Sequence, residues 1–200
     1  MPPVTKKSEA PRSDARARLL ATAAQIFYRE GIHAVGVDRL VSEAGVTRAT
    51  FYRHFPSKDD LVRAYIELED RALRDLFAAS AAHVSSPEDA LEVVLQGIAQ
   101  DVQEHHTRGC PFLNAAAEFP DPQHPVRRAV RVHRDWFAQT LSELVGATGR
   151  EDAAQVARAL VLLRDSALVG AYVDGSADVV PAFLWTAHQI IGEPQHGAGR

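Results

Sequence analysis

The stretch "GVTRATFYRHFPSK", Gly45–Lys58, gathers Thr47, Arg48, Thr50, Tyr52, Arg53, His54 and Lys58 into one short span. Hydroxyl, guanidinium, phenol, imidazole and ammonium groups at this density bond phosphate oxygens and the edges of bases. On a helix, at about 100° per residue, Phe51 and Phe55 fall together and belong in a small core. Ala49 and Arg53 fall opposite, Arg48 and Tyr52 take one flank, and Thr50 and His54 take the other. A helix that buries two phenyl rings and offers such a band outward is suited to a DNA major groove, with its N-terminal amides favouring a nearby phosphate.

Such a helix needs a frame. "VDRLVSEA" before it reads as a second short helix, from Val37 to about Ala44, with Leu40, Val41 and Ala44 on one side and Gly45 as the turn. Thr47 is a hydroxyl N-cap for the third helix, and Pro56 stops it. Two short helices across a tight glycine turn describe a helix-turn-helix. Ahead of them "DARARLLATAAQIFYREG" keeps Leu19, Leu20, Ala23, Ala24 and Phe27 at helical spacing after Ser13. Ser57 caps a long fourth helix, with Asp59 and Asp60 in its first turn, where the helix dipole favours anions.

The rest of the chain is helical in period throughout. Helices are expected from Pro87 through about His106, over Phe112–Glu118, from Pro125 to about Gly146, over Glu151–Val173 and over Ala177–Ile191. No strand and no internal repeat is legible. The fold class expected is all-α, with about nine helices. Residues 1–12 are expected to form a flexible basic arm, 13–56 the helix-turn-helix domain, 57–192 a larger helical domain, and 193–200 a flexible tail.

Bulk composition narrows the function classes. The chain has 200 residues, 46% of them hydrophobic and 24% charged, with a formal net charge of -4. Residues 1–60 carry ten Lys/Arg against seven Asp/Glu, whereas residues 61–200 carry twelve against nineteen. A basic head on an acidic body points to an anionic partner for the head. No apolar run reaches the roughly 18–20 residues a bilayer requires, so no membrane partner is expected. The N-terminus lacks the apolar core of a signal peptide, and a single Cys, Cys110, suits a reducing cytoplasm.

"GVTRATFYRHFPSKDDLVRAYI", preceded by "VDRLVSEA", resembles the TetR family of bacterial transcriptional repressors over about residues 13–66. The resemblance lies in the Gly-Val-Thr turn, the Phe-Tyr-x-His-Phe recognition helix and the Lys followed by acidic residues and Leu. It implies that Thr47 and neighbouring amides hold phosphate, that Arg48 and Thr50 face base edges, and that Tyr52 and His54 bond the DNA backbone. It further implies a DNA contact for Arg39 and a phosphate contact for Lys58; Ala49 and Arg53 complete the DNA-binding set. Val37 departs from the Thr frequent in the family, so one hydroxyl contact is missing.

The resemblance also implies a larger domain that binds a small-molecule effector and forms a homodimer through its last two helices, on a palindromic double-stranded DNA operator. Apolar faces on those helices, Val156, Leu160, Leu163 and Ala167, then Val180, Phe183, Leu184, Ala187 and Ile191, are the expected dimer interface. Cys110, Phe112, Asn114, Phe119, His133, Trp136, Phe137 and Tyr172 are the expected pocket lining, suited to a hydrophobic or aromatic effector. No cofactor, metal or catalytic residue is expected. Glu104, His105, His106 and Cys110 lie close in sequence, but adjacent histidines splay apart on a helix. The alternatives are a redox-responsive regulator using Cys110, with Arg108 nearby, and a helical enzyme for which no acid–base pair can be nominated.

Overall fold

The computed structural model describes residues 12–81 and 84–192 and contains, among them, nine α-helices, one π-helical turn and no strand. The helices are α1 (Arg12–Glu30), α2 (Val37–Glu43), α3 (Arg48–His54), α4 (Lys58–Ala81), α5 (Pro87–Gln100), α6 (Pro111–Glu118), α7 (Pro125–Ala147), α8 (Ala153–Asp174) and α9 (Ser176–Ile191). The expected all-helical architecture is the one observed. α1 starts at Arg12, slightly earlier than Ser13 suggests; the rest of the expected arm and the tail 193–200 lie outside the described residues.

The chain divides between Tyr65 and Ile66 into two compact units. In the first, α1 presents Leu19, Ala23, Ile26 and Phe27 to a core closed by Leu40 of α2 and by Phe51 and Phe55 around α3, all at most 4% exposed. Phe51 and Phe55 stand 6.2 Å apart, and Phe27 lies 6.1 Å from Tyr65. Seven-residue helices are too short to persist alone, so α2 and α3 depend on this burial.

In the second unit α8 packs on both α7 and α9. Leu141 and Val145 of α7, Leu160 and Leu168 of α8, and Phe183 and Ala187 of α9 are at most 2% exposed. Ser86 Oγ accepts from Asp89 N at 3.0 Å and Pro87 opens α5, so both start signals in the sequence operate here. Gly175, at φ +96°, ends α8 and lets α9 begin at the next residue.

One local departure was not legible. α5 does not simply fray at its end. It widens into a π-turn over Asp101–His105, and His106 N bonds Asp101 O at 2.9 Å, an i to i+5 step. That extra residue per turn brings the His106 ring back onto Asp101.

Candidate nucleic-acid interface and effector cavity

The turn between α2 and α3 closes by two backbone bonds, Val46 N to Val41 O at 3.0 Å and Gly45 N to Ser42 O at 3.2 Å. This is a Schellman closure, which needs a left-handed residue, and Gly45 provides it at φ +61°. α3 then starts on Thr47, whose Oγ1 accepts from Thr50 N at 3.1 Å and lies 3.0 Å from Thr50 Oγ1. α2 has no such cap, since Gly36 precedes it and Val37 carries no hydroxyl. Arg18 reinforces the turn by donating from Nε to Ala44 O at 3.3 Å.

Along α3 the burial follows the wheel. Phe51 is fully buried, whereas Arg48, Ala49, Tyr52 and Arg53 are exposed, and Thr50 and His54 are half-buried. The Tyr52 ring leans edge-on against Phe51 at 5.1 Å, which fixes its direction and leaves the phenol outward. The outward face therefore carries hydroxyl and cationic groups on a rigid support.

Two of the cations are not idle. Arg48 donates from Nε to Asp38 Oδ1 at 2.6 Å and from Nη2 to Asp38 Oδ2 at 3.0 Å, a two-pronged pair across α2 and α3. With its partners 60% and 78% exposed, this pair adds little to stability. It does hold the guanidinium fork in one direction. Arg39 donates to Glu43 at 2.8 Å and to Glu30 at 3.3 Å, so its charge is largely matched within the unit.

Lys58 also has partners within the unit. Its ammonium donates to Ile32 O at 2.6 Å and sits 5.9 Å above the Phe27 ring. A half-buried ammonium bonded to a backbone carbonyl ties the loop after α1 to the start of α4 through one of its three donors. Arg16 of α1 also packs against this core, with its guanidinium 5.2 Å over the Phe55 ring.

The second unit holds a cavity of about 1060 Å³ walled by α4, α5, the π-turn, α6, α7 and α8. Phe77, Phe112, Trp136 and Phe137 form its aromatic part, with Phe77 edge-on to Trp136 at 5.5 Å and to Phe137 at 5.9 Å. Leu73, Val94, Ile98 and Leu144 add aliphatic wall. Of the expected lining, only Phe112, Trp136 and Phe137 border the space.

The others are corrected by their positions. Cys110 is fully buried, with its sulfur 3.8 Å from Arg164 Nη1. Full burial also denies an oxidant access to the thiol, against the redox alternative. Asn114 donates to Arg108 O at 3.2 Å, closing the loop before α6. Phe119 stacks on His124 at 4.6 Å. His133 lies behind the wall, stacked flat on Phe112 at 3.5 Å and bonded through Nδ1 to Asp70 Oδ1 at 2.9 Å. Tyr172 is 55% exposed on α8 and borders nothing enclosed.

The cavity wall also carries charged groups. His106 bonds Asp101 Oδ1 at 2.6 Å and faces Glu69 Oε2 at 3.7 Å, an ion-pair distance. Burial pulls its pKa down, but the hydrogen bonds and charges of Asp101 and Glu69 outweigh this and raise it to about 9. For His133 burial dominates, helped by the Arg164 and Arg74 charges, and lowers it to about 4 against the pull of Asp70. Arg74 pairs with Asp70 at 2.8 Å and lies 4.3 Å over the Trp136 ring.

The expected dimer residues also need correction. Val156, Leu160, Ala167, Val180, Phe183 and Ala187 are all under 9% exposed within one chain, and Leu163, Leu184 and Ile191 are half-buried. That stripe is the one by which α8 and α9 pack inside their own unit. The apolar residues left outside are Leu162, Val169 and Val173 of α8, one helical stripe, and Trp185 of α9.

A helix-turn-helix on three helices, followed by a larger helical unit with its own cavity, defines the class: an all-α DNA-binding regulator. The comparisons then make the assignment specific. Residues 19–65 match the model for bacterial regulatory proteins of the tetR family, and residues 87–180 match the tetracyclin repressor-like C-terminal domain. A TetR-family transcriptional regulator of solved structure from Streptomyces coelicolor is 45% identical, with a TM-score of 0.86 over 90% of this chain and 95% of that one. A putative TetR regulator from Streptomyces avermitilis is 26% identical, with a TM-score of 0.71 over 86% and 97%. YxaF of Bacillus subtilis, an uncharacterized HTH-type transcriptional regulator, is 27% identical over 66% of this chain and 72% of its own. The chain belongs to the TetR family of DNA-binding transcriptional regulators, which is not a family of enzymes. Among the described residues no helix is long and apolar enough to cross a membrane.

Proposed function

We propose that the protein is a cytoplasmic repressor that binds a palindromic operator as a homodimer and is released by a small, mainly apolar effector. The observation that carries the effector is the cavity of about 1060 Å³ with its aromatic wall. The DNA-contacting set is Thr47, Arg48, Ala49, Thr50, Tyr52, Arg53 and His54 on α3, with Arg39 beside it on α2. Arg48 reads a guanine by exchanging the Asp38 carboxylate for the base's O6 and N7; Tyr52 and His54 position on phosphate. The bared stripe Leu162–Val169–Val173 with Trp185 supports dimerisation through a four-helix contact of α8 and α9 with their counterparts. Two recognition helices would then meet successive major grooves about 34–36 Å apart.

α4 is the element common to both activities. It begins beside α3, and its later residues Leu73 and Phe77 wall the cavity. An effector that prefers one setting of α4 shifts the population toward a dimer whose recognition helices miss the half-site spacing.

The test is selection of bound duplexes from a random pool, then titration of apolar and aromatic compounds against the selected duplex. A palindromic consensus and release by such a compound are expected. A non-palindromic consensus would remove the homodimer. Retention of the duplex with every apolar compound, together with release by polar metabolites, would remove the apolar effector.

A further inference from the structure

Arg164 lies on α8 and borders the cavity, yet only 4% of it is exposed. A guanidinium carries five N–H donors and is always charged. Arg164 uses one of them weakly, from Nη1 toward the Cys110 sulfur at 3.8 Å. Arg164 Nη1 stands 3.7 Å from Asp165 Oδ1, an ion-pair distance without a hydrogen bond, and Asp165 also pairs through Oδ2 with Arg134 at 2.8 Å. The Phe137 ring lies 5.0 Å from the guanidinium carbon, which offers a face to the charge but no acceptor. A cation this deep ordinarily costs several kcal/mol unless paired and hydrogen-bonded.

Other charged groups of the wall are held by hydrogen bonds or ion pairs. Glu92 accepts from His188 and from Gln96, each at 2.8 Å. Asp101 and Glu69 share His106, and Arg74 holds Asp70. Arg164 also helps keep the His133 imidazole neutral, as Arg74 does. Arg164 is therefore a buried cation of the wall with donors unused, set against aromatic rings. We infer that the effector is an amphipathic monocarboxylic acid whose carboxylate pairs with Arg164 while its aliphatic or aryl body lies along Phe77, Trp136 and Phe137. One guanidinium with unused donors matches one monoanion; a phosphate dianion would bring a second negative charge beside Glu69, Glu92 and Asp101. Planar carboxylate also accepts two parallel bonds from one guanidinium.

The inference rests on the reading of the cavity as the effector site, and the experiment separates the two. Trp136 borders the cavity and Trp185 does not, so the change in emission on binding to the full chain reports Trp136. Decanoic acid, methyl decanoate and decan-1-amine share one apolar body and differ in charge. The acid is expected to bind at least tenfold more tightly than the ester or the amine, and to release the selected duplex. Arg164→Met should bring the acid down to the ester's affinity without lowering the melting temperature of the unliganded protein, because a buried cation with unused donors is gone and Asp165 keeps Arg134. Arg164→Lys should keep the acid's preference.

Equal affinity for acid and ester in the parent protein, or preference for the amine, overturns the assignment of the anion and leaves the cavity as an effector site. An acid preference confined to Cys110→Ser would mean that the sulfur already neutralises Arg164, and overturns it too. A lower melting temperature in Arg164→Met would make the guanidinium a structural group. Acid binding without release of the duplex removes the effector reading and keeps the anion site. If none of the three compounds binds, both fall.

Discussion

The first unit turns its charges outward around an apolar core, while the second turns several of them inward around a space. In the helix-turn-helix the fully buried side chains are hydrocarbon, and Arg48, Arg53 and Tyr52 stand on the exposed face. In the larger unit Arg164 and His133 are buried, and His106, Asp101 and Arg74 edge the cavity. A surface for a polyanion needs cations that keep their water until the partner arrives. A cavity for a small molecule gains selectivity from groups already stripped of water, at a cost to stability.

The largest effect should come from the hydrocarbon side of this comparison. Phe51→Ala removes a fully buried ring from α3 and should cost about 3–5 kcal/mol. Urea unfolding should show that loss, with DNA binding abolished at temperatures where the parent still binds. A loss below 1 kcal/mol would mean that α3 is not seated as described.

The buried charges give the next effect, and its sign follows from the two histidines. His106 has its pKa raised to about 9, so its stabilisation is complete below the ordinary value of 6.5 and is lost as pH rises from there through about 9. The change is on the order of 3 kcal/mol. His133, lowered to about 4, acts on the other side: its contribution is complete above 6.5 and is lost as pH falls toward 4. Stability should therefore peak near neutral pH. His106→Gln should flatten the alkaline limb of a melting-temperature profile and leave the acid limb in place. An unchanged alkaline limb would show that Asp101 and Glu69 do not hold the proton there.

On the outward-facing side the effects are smaller and fall on specificity. Arg48→Ala should lose about 1–3 kcal/mol of discrimination at particular operator positions, read as a flattened base preference in duplex competition. A uniform weakening on every duplex would instead make Arg48 a phosphate contact.

The same contrast decides what could be read from the sequence. The head was legible because its signals are local: Gly45, Thr47, Phe51, Phe55 and Pro56 each act within a turn of themselves. Helix existence in the body was legible for the same reason, through Ser86, Pro87, Pro125 and Gly175. The cavity was not, because its wall is assembled from six segments, and Phe77, Ile98 and Arg164 are neighbours only after folding. Tyr172 and Asn114 looked like lining by residue type, but their helices turn them elsewhere. On α8 and α9 the richest apolar stripe marked the intramolecular face, since the deepest hydrophobes pack within the unit and a sparser set is left outside. Nothing in "AQDVQEHH" announces a π-turn, because that extra residue is accommodated by what Asp101 and His106 can bond, not by helix propensity.

Asp38 is where the outward face departs from its own rule, since it sets an anion among cations meant for phosphate. Its carboxylate is 78% exposed and grips both prongs of Arg48. In the absence of DNA this keeps the fork extended in one direction, which lowers the entropy lost on binding. On approach to DNA the same carboxylate repels the backbone and must be released before Arg48 can take a base. The two contributions oppose each other, so the net change in affinity should be small, at most several-fold. Asp38→Asn removes the repulsion while keeping a hydrogen-bond acceptor near Arg48. Binding to non-operator duplexes should rise a few-fold at low salt and the ratio of operator to non-operator affinity should fall. If both affinities rise equally, Asp38 acts only as a long-range charge. If operator binding falls while non-operator binding stays constant, the carboxylate's chief role is to aim Arg48.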